Sequence, residues 1–397
     1  MVESTQPQPF SEFSFKSKVL DGLRILPGDK LESVEQARKL APKVVGTHSE
    51  VFHCDEVLAT TMLLYTEEFS NCAIIRTRNQ EVLDQLDIVC DVGAIFDVSK
   101  KRFDHHQRSF NMSWTEEENQ PIDETLAEQP FKIKLSSAGL IYKYYGREIL
   151  KKILSEVFGE VSKAFTDADH EKIFQKLYKN FIQEIDAKDN GVNVSKGEER
   201  YYINTHLGSR VGRFNKAWNA PAHVDQNNQF KRAMRVAEEE LLWQIYSVAS
   251  VLMPARKQVE DAWNSREQFS ASGEVMFIEN ACPWKDHLYN IEAEQGKEGL
   301  IKFVFFKDSR GMHRIQTVPP KGSGYDMRVP LCKVWRGHRA EELKNLTEGV
   351  TDMEFVHHSG FIGGAWSLQS VMKMAELSVQ EYEVEQKKKE EHVAAKE

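Results

Sequence analysis

Histidine and aspartate residues form four groups in the first half of the chain, and these residue types could together bind divalent metal ions. In chain order the groups are His48 with His53 and Asp55, then Asp91, then Asp104-His105-His106, and finally Asp186 with Asp189. Imidazole nitrogens and carboxylate oxygens, without thiolates, are ligands that suit Mn²⁺ or a related ion. Two such ions can stabilise the attacking and leaving oxygens of a phosphate ester during hydrolysis. The pattern therefore predicts a metal-dependent phosphoesterase centred on the Asp-His-His triplet.

Each group could also have a purely structural role, because a single histidine or aspartate usually satisfies a local hydrogen bond. The segment His53-Cys54-Asp55 could equally begin a helix, where Asp55 would favour the positive end of the helix dipole. On a helix, Asp186 and Asp189 would repel each other unless a cation lay between them, and they could also mark an exposed helix end. Of these two carboxylates we select Asp189 as the ligand.

Buried strands must position these residues at one place. Apolar runs predict strands at residues 44–45, 73–75 and 88–90, and helical spacing of apolar residues between Glu56 and Tyr65 makes the pattern strand, helix, strand. A mainly parallel α/β sheet is the natural outcome. Ligands of such sheets bind beyond the carboxyl ends of the strands, so His48, Asp91 and His105 should face one crevice.

Further helices and a second domain are predicted along the chain. Ser136-Ser137 offers an N-cap for a helix, another helix is predicted from about 169 to 186, and a long amphipathic helix from Phe230 to about Trp263 could link two domains. Strand-like runs at 275–278, 301–306, 315–318 and 355–356 predict a smaller α+β domain. The predicted organisation is a flexible extension (1–43), a metal-binding catalytic domain (44–222), a linker helix with a substrate-binding domain (223–376) and a charged tail, either a frayed helix or solvated (377–397).

Composition limits the classes of protein that fit. The 397 residues exceed what one hydrophobic core usually serves, which favours two domains. The longest apolar runs are too short for a membrane span, and five cysteines without a Cys-x-x-Cys pair predict neither a disulfide framework nor a thiolate zinc site. A reducing intracellular compartment fits best.

Local charge differs from the overall charge. The net charge of -9 opposes general adhesion to nucleic acid, but residues 301–340 hold nine Lys/Arg against only two acids, Asp308 and Asp326. This basic segment predicts contacts with phosphates from Arg328, Lys333, Arg336 and Arg339.

Several motifs occur together with a specific spacing. They are Gly46-Thr47-His48 with Phe52-His53-Cys54-Asp55-Glu56, Cys90-Asp91-Val92-Gly93, Phe103 to Phe110, Leu135 to Gly139, Asp186 to Gly191, Trp335-Arg336-Gly337 and His357 to Gly364. In this combination the chain resembles the melanocyte-proliferating-gene exonuclease family of the DHH phosphoesterase superfamily, from Lys43 to about Ala375.

The resemblance implies a two-domain, Mn²⁺- or Mg²⁺-dependent exonuclease that acts 3′ to 5′ on single-stranded RNA in the nucleus or mitochondrion, with the cytoplasm also open. The implied metal ligands are His48, His53, Asp55, Asp91, His105 and Asp189. Asp104 would orient the neighbouring imidazole, and His106 would face the phosphate as a donor or general acid. In the second domain the implied substrate-binding residues are Arg328, Arg336, His358, Gly363 and Gly364.

Departures and alternatives accompany this resemblance. His53 stands where the superfamily usually has an aspartate, Glu50 replaces an expected glycine and Lys188 replaces an apolar residue, so the local geometry should differ there. The glycine-rich segment from Ser359 to Gly364 could approach a phosphate through its backbone N–H groups, or could be a tight turn. Two other functions stay open: a phosphatase or phosphodiesterase acting on small nucleotides or pyrophosphate, and a non-catalytic protein that binds metal and RNA.

Overall fold

Two compact units, Met1–Ser250 and Val251–Glu397, make up the chain. The structure, a computed structural model, describes residues 18–28, 30–114, 133–159, 165–195, 197, 200–324, 326–344, 346, 349–350 and 352–394. Each unit holds a mixed β-sheet with helices, so the predicted α/β class is confirmed. The domain boundaries stay predictions. Within the described residues, no helix is both long and apolar enough to cross a lipid bilayer.

The first unit contains a six-stranded sheet. Its strands are β1 (Arg24–Pro27), β2 (Lys43–Thr47), β3 (Cys72–Arg76), β4 (Ile88–Cys90), β5 (Phe96–Asp97) and β6 (Arg102–Phe103). Its helices are α1 (Lys18–Asp21), α2 (Glu32–Leu40), α3 (Cys54–Leu63), α4 (Gln80–Leu83), α5 (Ser137–Glu156), α6 (Asp167–Leu177), α7 (Gln183–Asp189), α8 (Leu207–Gly212) and α9 (Gln226–Tyr246), with a π-helical segment at Tyr178–Ile182 between α6 and α7.

The strand order in this sheet is β1-β3-β2-β4-β6-β5. All neighbouring strands are parallel except β5 and β6. The strands predicted at 44–45, 73–75 and 88–90 are present as β2, β3 and β4. Because β2, β4 and β6 are parallel neighbours, their carboxyl ends lie along one edge of the sheet.

The expectation that residues 1–43 form a flexible extension is corrected for the described part of that range. β1 pairs in parallel with β3, with Arg24 opposite Ala73. α2 buries Val34 and Ala37 in the same core as the strand residues of the sheet. β1 is a short, partly exposed edge strand, so it lacks the continuous apolar run by which buried parallel strands are recognised.

Helix α3 is buried along its whole length. It packs against α5 and α9, and every one of its residues is inaccessible to solvent. Its first turn contains Asp55 and Glu56, two carboxylates that are expensive to bury without partners. The fold therefore requires compensating groups around the start of α3.

The second unit has a five-stranded sheet in the order β10-β11-β9-β8-β7. The strands are β7 (Val275–Asn280), β8 (Phe303–Lys307), β9 (His313–Thr317), β10 (Met353–Val356) and β11 (Ile362–Ala365), and only β7 and β8 are parallel. The helices are α10 (Met253–Asn264), α11 (Lys285–Glu294) and α12 (Leu368–Ala394), with 3-10 segments at Arg266–Gln268, Lys333–Trp335 and Ala340–Glu342.

One helical expectation differs from the structure: the long helix predicted from Phe230 to Trp263 is divided by a π-helical segment, Ser247–Leu252. The charged end of the chain, predicted as either a frayed helix or a solvated tail, is helical as far as Ala394 as part of α12. Its residues Val379 and Tyr382 pack against the hydrophobic core of the second unit, so the first turns of that tail are held in place.

Candidate metal centre

The carboxyl ends of three parallel strands position the predicted ligands. His48 follows β2, Asp91 follows β4, and Asp104-His105 follows β6, and all four side chains are buried. Asp91 has a φ of 60°, in the left-handed region that non-glycine residues seldom adopt. Backbone strain of this kind is often found at functional sites, where the surrounding structure enforces it.

The first donor group contains His48, His53, Glu56 and Asp91, whose ligand atoms all lie within 4.8 Å of one another. His48 Nε2 is 2.9 Å from Glu56 Oε1 and 3.4 Å from Asp91 Oδ2. Glu56 also accepts a hydrogen bond from the backbone N–H of His53, at the start of α3. Sequence reasoning did not select Glu56, although a glutamate three residues after the residue that precedes a helix is the spacing of a capping box.

The second donor group contains Asp55, His105 and Asp189, again with ligand atoms within 4.8 Å of one another. His105 Nε2 lies 3.0 Å from Asp189 Oδ2 and 3.7 Å from Asp55 Oδ2. Asp91 Oδ1 is 3.4 Å from His105 Nε2, and Asp91, His105 and His106 form a further group with ligand atoms within 4.8 Å of one another. The two carboxylate oxygens of Asp91 therefore face different imidazoles, and the aspartate lies between the two groups.

Divalent cations fit the donor atoms of these groups. Asp91 Oδ1 and both ring nitrogens of His105 are buried, and among the described residues none of them makes a hydrogen bond of regular geometry, although carboxylate oxygens lie 3.0 to 3.7 Å from His105 Nε2. Buried polar atoms without partners are costly, and a cation would satisfy them. The nitrogen and oxygen donors suit Mn²⁺ or a related ion. The structure thus brings together all six predicted ligands and adds Glu56.

Proton binding competes with metal binding at these groups. Burial opposes protonation of His48 and His105, but the carboxylates beside their ring nitrogens outweigh it, so the pKa of each rises to about 10. These carboxylates belong to Asp91 and Glu56 for His48, and to Asp189, Asp91 and Asp55 for His105. Burial raises the pKa of Asp55, and the negative charges of Asp91 and Asp189 raise it further. A metal ion must therefore displace protons when it binds.

His106 differs from His105 in exposure and in partner. Its side chain is exposed, and its Nδ1 lies 2.7 Å from Asp104 Oδ1. Asp104 also accepts hydrogen bonds from the backbone N–H groups of His106 and Ala94. The imidazole that Asp104 orients is therefore His106, not the adjacent His105. The hydrogen bond to Asp104 raises the pKa of His106.

Two buried carboxylates, Asp55 of α3 and Asp186 of α7, accept hydrogen bonds from residues at the start of α5. Asp55 accepts hydrogen bonds from the Ser136 hydroxyl and from the backbone N–H groups of Ser137 and Ala138. Asp186 accepts from the backbone N–H and hydroxyl of Ser136 and from the hydroxyl of Tyr178. Ser136 does precede α5 as predicted, but its side chain serves these carboxylates instead of capping the helix. Burial raises the pKa of Asp186 to about 7, against these hydrogen bonds.

The roles of Asp186 and Asp189 can be separated by isosteric substitution. Asp186→Asn should retain metal binding, because its oxygen can accept from Ser136 while its amide donates to the Tyr178 hydroxyl, which can then act as acceptor. Asp189→Asn should weaken Mn²⁺ binding at least about 10-fold, since it removes a charged donor beside His105. Calorimetric titration with Mn²⁺ measures both. Equal losses in the two variants would contradict this assignment.

A crevice of about 450 Å³ opens beside the two donor groups. His48, His53, Asp91 and His106 line one part of it. The remaining wall includes positively charged and polar residues that sequence reasoning did not select: Arg78, Lys188, His206 and Asn215. Arg78 Nη2 is 3.3 Å from His48 Nδ1, so a cation lies next to one candidate ligand. The crevice can therefore admit an anionic group to the donor atoms.

The structure separates the five residues predicted to contact substrate in the second unit: Arg328, Arg336, His358, Gly363 and Gly364. Arg328 is partly buried, and its terminal nitrogens donate to the two carboxylate oxygens of the buried Glu292 at 2.6 and 2.7 Å. One of them also donates to the Ile301 carbonyl. This ion pair uses both terminal nitrogens, which disfavours a phosphate contact by Arg328, and that contact stays a prediction.

Gly363 and Gly364 lie within β11, which is paired with strands on both sides. A Cβ on Gly363 would lie 3.1 Å from the Leu331 side chain and from the Phe355 carbonyl. These glycines thus permit close packing in the sheet, which disfavours an approach of their N–H groups to a phosphate, and that role stays a prediction. A tight turn lies just before these glycines. Residues 357–361 connect β10 to β11, and the His357 N–H donates to the Ile362 carbonyl.

Arg336 and His358 remain candidates at this hairpin. The Arg336 side chain crosses Gly360, where a Cβ would come within 2.6 Å of the arginine Nε. Its Nε donates to the Leu331 carbonyl, and His358 is exposed nearby. Gly360 has a φ of 79°, so the turn also favours glycine for its backbone conformation.

Substitution of the two arginines should therefore have different effects. Arg328→Ala should lower the free energy of unfolding by about 3–5 kcal/mol, because Glu292 is left buried without its cation. Arg336→Ala should leave stability nearly unchanged but weaken binding of single-stranded RNA and reduce its salt dependence by about 0.7 in log–log slope. Denaturant unfolding and fluorescence anisotropy measure these effects. Unchanged stability in Arg328→Ala would show that the ion pair is dispensable.

Comparisons with known proteins give consistent matches. A family model described as "Uncharacterised protein family (UPF0160)", with the short name MYG1_exonuc, matches residues 44–379. A Bos taurus protein named "MYG1 exonuclease" is 39% identical over 344 residues, covering 86% of this chain and 85% of that protein. The Homo sapiens protein of the same name is 38% identical over 348 residues, covering 87% and 88%.

More distant proteins match over similar lengths. A Dictyostelium discoideum protein named "MYG1 protein" is 36% identical over 332 residues, covering 83% of this chain and 94% of that protein. Among solved structures, "Crystal Structure of CDC45 from Entamoeba histolytica" aligns over 77% of this chain and 89% of that chain, with 11% identity and a TM-score of 0.23. That likeness is too weak to define the fold.

Proposed function

This chain belongs to the MYG1 exonuclease family, and from that premise we propose that it is a metal-dependent exonuclease that shortens single-stranded RNA from its 3′ end. The proposed cofactor is Mn²⁺, or Mg²⁺ in its place. The first unit is proposed to be a DHH-type catalytic domain, and Arg336 and His358 of the second unit are proposed to contact substrate. The family resemblance also supports the proposed location in the nucleus or mitochondrion.

The position of Asp91 is the observation that carries the proposal. One of its carboxylate oxygens faces His48 and the other faces His105, so a single side chain reaches both donor groups. Enzymes that use two ions for phosphodiester hydrolysis hold them about 3.5–4 Å apart. A carboxylate shared by two donor groups is suited to that short separation.

The residues around Asp91 are proposed to have different roles in positioning, proton transfer and attraction of the substrate. Bound divalent ions supply Lewis-acid stabilisation of charge during displacement at phosphorus. Hydrogen bonds from the start of α5 hold Asp55 in place, while Asp104 holds His106 through Nδ1. The other nitrogen of His106, Nε2, is then the one that can donate a proton to the leaving oxygen. Arg78 and Lys188 bring positive charge to the crevice, which favours an anionic substrate.

Labelled RNA tests the proposal directly. With Mn²⁺, RNA labelled at its 5′ end should give a ladder of shortening fragments, whereas RNA labelled at its 3′ end should release labelled mononucleotide at once. A circular single strand of the same sequence is the control, and it should resist because it has no end. Cleavage of the circle would overturn an exonuclease, and release from the 5′ end first would overturn the direction.

The same preparation separates the alternative functions. Turnover of mononucleotides, dinucleotides or pyrophosphate that exceeds turnover of RNA would identify a small-molecule phosphoesterase. Metal and RNA binding without any hydrolysis would identify a binding protein. The proposal expects chelation to stop RNA shortening and added Mn²⁺ to restore it.

A further inference from the structure

Residues 200–220 of the first unit have an unusual composition. They contain four basic residues, Arg200, Arg210, Arg213 and Lys216, and no aspartate or glutamate, in a chain whose net charge is -9. Arg210 pairs with Glu240 at 3.0 Å. For Arg213 and Lys216, the described part of the chain contains no carboxylate within ion-pair distance. This segment therefore presents uncompensated positive charge.

The same segment exposes large aromatic side chains. Trp218 is 97% exposed and Tyr202 is 83% exposed, the highest values for large apolar or aromatic side chains among the described residues, and Tyr201 is 74% exposed. Isolated exposed aromatics are ordinary on protein surfaces. Three of them occur within one short basic segment, which therefore combines positive charge with exposed aromatic rings.

The segment is fixed against the metal-binding loop. The Asn215 side chain accepts from the backbone N–H of Phe52 and donates to the Phe52 carbonyl, at 3.0 and 2.7 Å. Trp218 lies in a turn closed by a hydrogen bond from Ala220 N to Ala217 O. The backbone beneath the exposed indole is therefore held in place, which lowers the entropy cost of using it for binding.

This surface continues into the crevice beside the candidate metal centre. His206, Gly208, Gly212 and Asn215 line that crevice together with His48 and His53. Trp218 is three residues beyond Asn215, so their Cα atoms are at most about 11 Å apart. A polymer whose end occupied the crevice could therefore extend to Trp218.

We propose that Tyr201, Tyr202 and Trp218, with Arg213 and Lys216, form a binding surface for a single-stranded nucleic acid that leads to the metal centre. The proposal rests on the proposed function for the identity of the reaction. Aromatic side chains stack on the bases of unpaired strands, and basic residues contact the phosphates between them. A duplex would hide its base faces within the helix, so exposed aromatics favour a single strand.

Binding of oligonucleotides to the full-length protein tests this surface. A labelled single strand of about 12 nucleotides, as RNA and as DNA, would be titrated by fluorescence anisotropy in the presence of a chelator. Trp218→Ala should weaken binding of both strands about 5- to 100-fold, whereas Trp218→Phe should restore most of the affinity because it keeps an aromatic face. Lys216→Ala should reduce the log–log salt slope by about 0.7.

Matched controls come from exposed residues that are not part of the segment. Trp366→Ala in the second unit and Lys39→Ala at the end of α2 should leave affinity and salt slope unchanged. Equal affinity of Trp218→Ala and the wild type would overturn the proposal, and would be the result if Trp218 instead met a protein partner. Because hydrolysis is excluded during binding, failure of the exonuclease assay with intact Trp218 dependence would reject the proposed function and leave this surface standing.

Discussion

Replacing Asp91 with alanine should abolish Mn²⁺-dependent hydrolysis and remove the tight binding of metal at both donor groups. The reason is that Asp91 directs one oxygen to His48 and the other to His105, and among the described residues no other carboxylate contacts both imidazoles. Loss of a residue that only supports a ligand typically lowers metal affinity or activity 10- to 100-fold. Asp91 is itself a candidate ligand at both groups, so its loss should lower both metal affinity and activity by more than about 100-fold.

The backbone at Asp91 requires a second variant for this test. Because its φ is 60°, alanine adds backbone strain to the loss of the carboxylate. Asn tolerates the left-handed region, so Asp91→Asn isolates the loss of charge. Asp97→Ala, a partly exposed aspartate of β5, is the control outside the donor groups. Calorimetry with Mn²⁺, RNA cleavage and thermal unfolding would be compared, and near-normal hydrolysis in folded Asp91→Asn would contradict the shared-ligand arrangement.

Strands that end at candidate ligands could be predicted because they are buried on both faces. The apolar runs in β2, β3 and β4 stand out for that reason, and the polar residue after β2 or β4 marks the point where the chain leaves the sheet. β1 could not be recognised, since its four residues are at the sheet edge and partly exposed. The same physical difference explains why residues 18–40 were assigned to an extension.

Site residues could be predicted where a residue type that binds metal directly follows a predicted strand. They were harder to predict where tertiary packing determines the partner of a side chain. Glu56 was overlooked because its role depends on the burial of α3, which places its carboxylate 2.9 Å from His48 Nε2. The prediction for Arg328 rests on the local charge density of residues 301–340, which does not reveal its ion pair with Glu292, a residue outside that segment. Long-range partners of charged residues cannot be read from local composition.

The surroundings of adjacent His105 and His106 indicate different roles. The buried His105 ring has three carboxylates around Nε2, from Asp55, Asp91 and Asp189. The exposed His106 ring lines the crevice and is held through Nδ1 by Asp104. Its Nδ1 is also 3.5 Å from Asp91 Oδ1, so a contribution to metal binding has to be tested directly.

His106→Gln should therefore retain Mn²⁺ binding but lose turnover, by about 10²- to 10⁴-fold if the imidazole acts as a general acid. Glutamine can still donate a hydrogen bond to Asp104 or to phosphate, but it cannot transfer a proton at neutral pH. His105→Ala, in contrast, should lose both metal affinity and turnover, because it removes a nitrogen ligand among three carboxylates. Calorimetric Mn²⁺ titration and single-turnover RNA cleavage at saturating Mn²⁺ would be measured on both variants. Equal loss of metal affinity in the two would mean that His106 is itself a ligand, and that proton transfer to the leaving oxygen must come from another group.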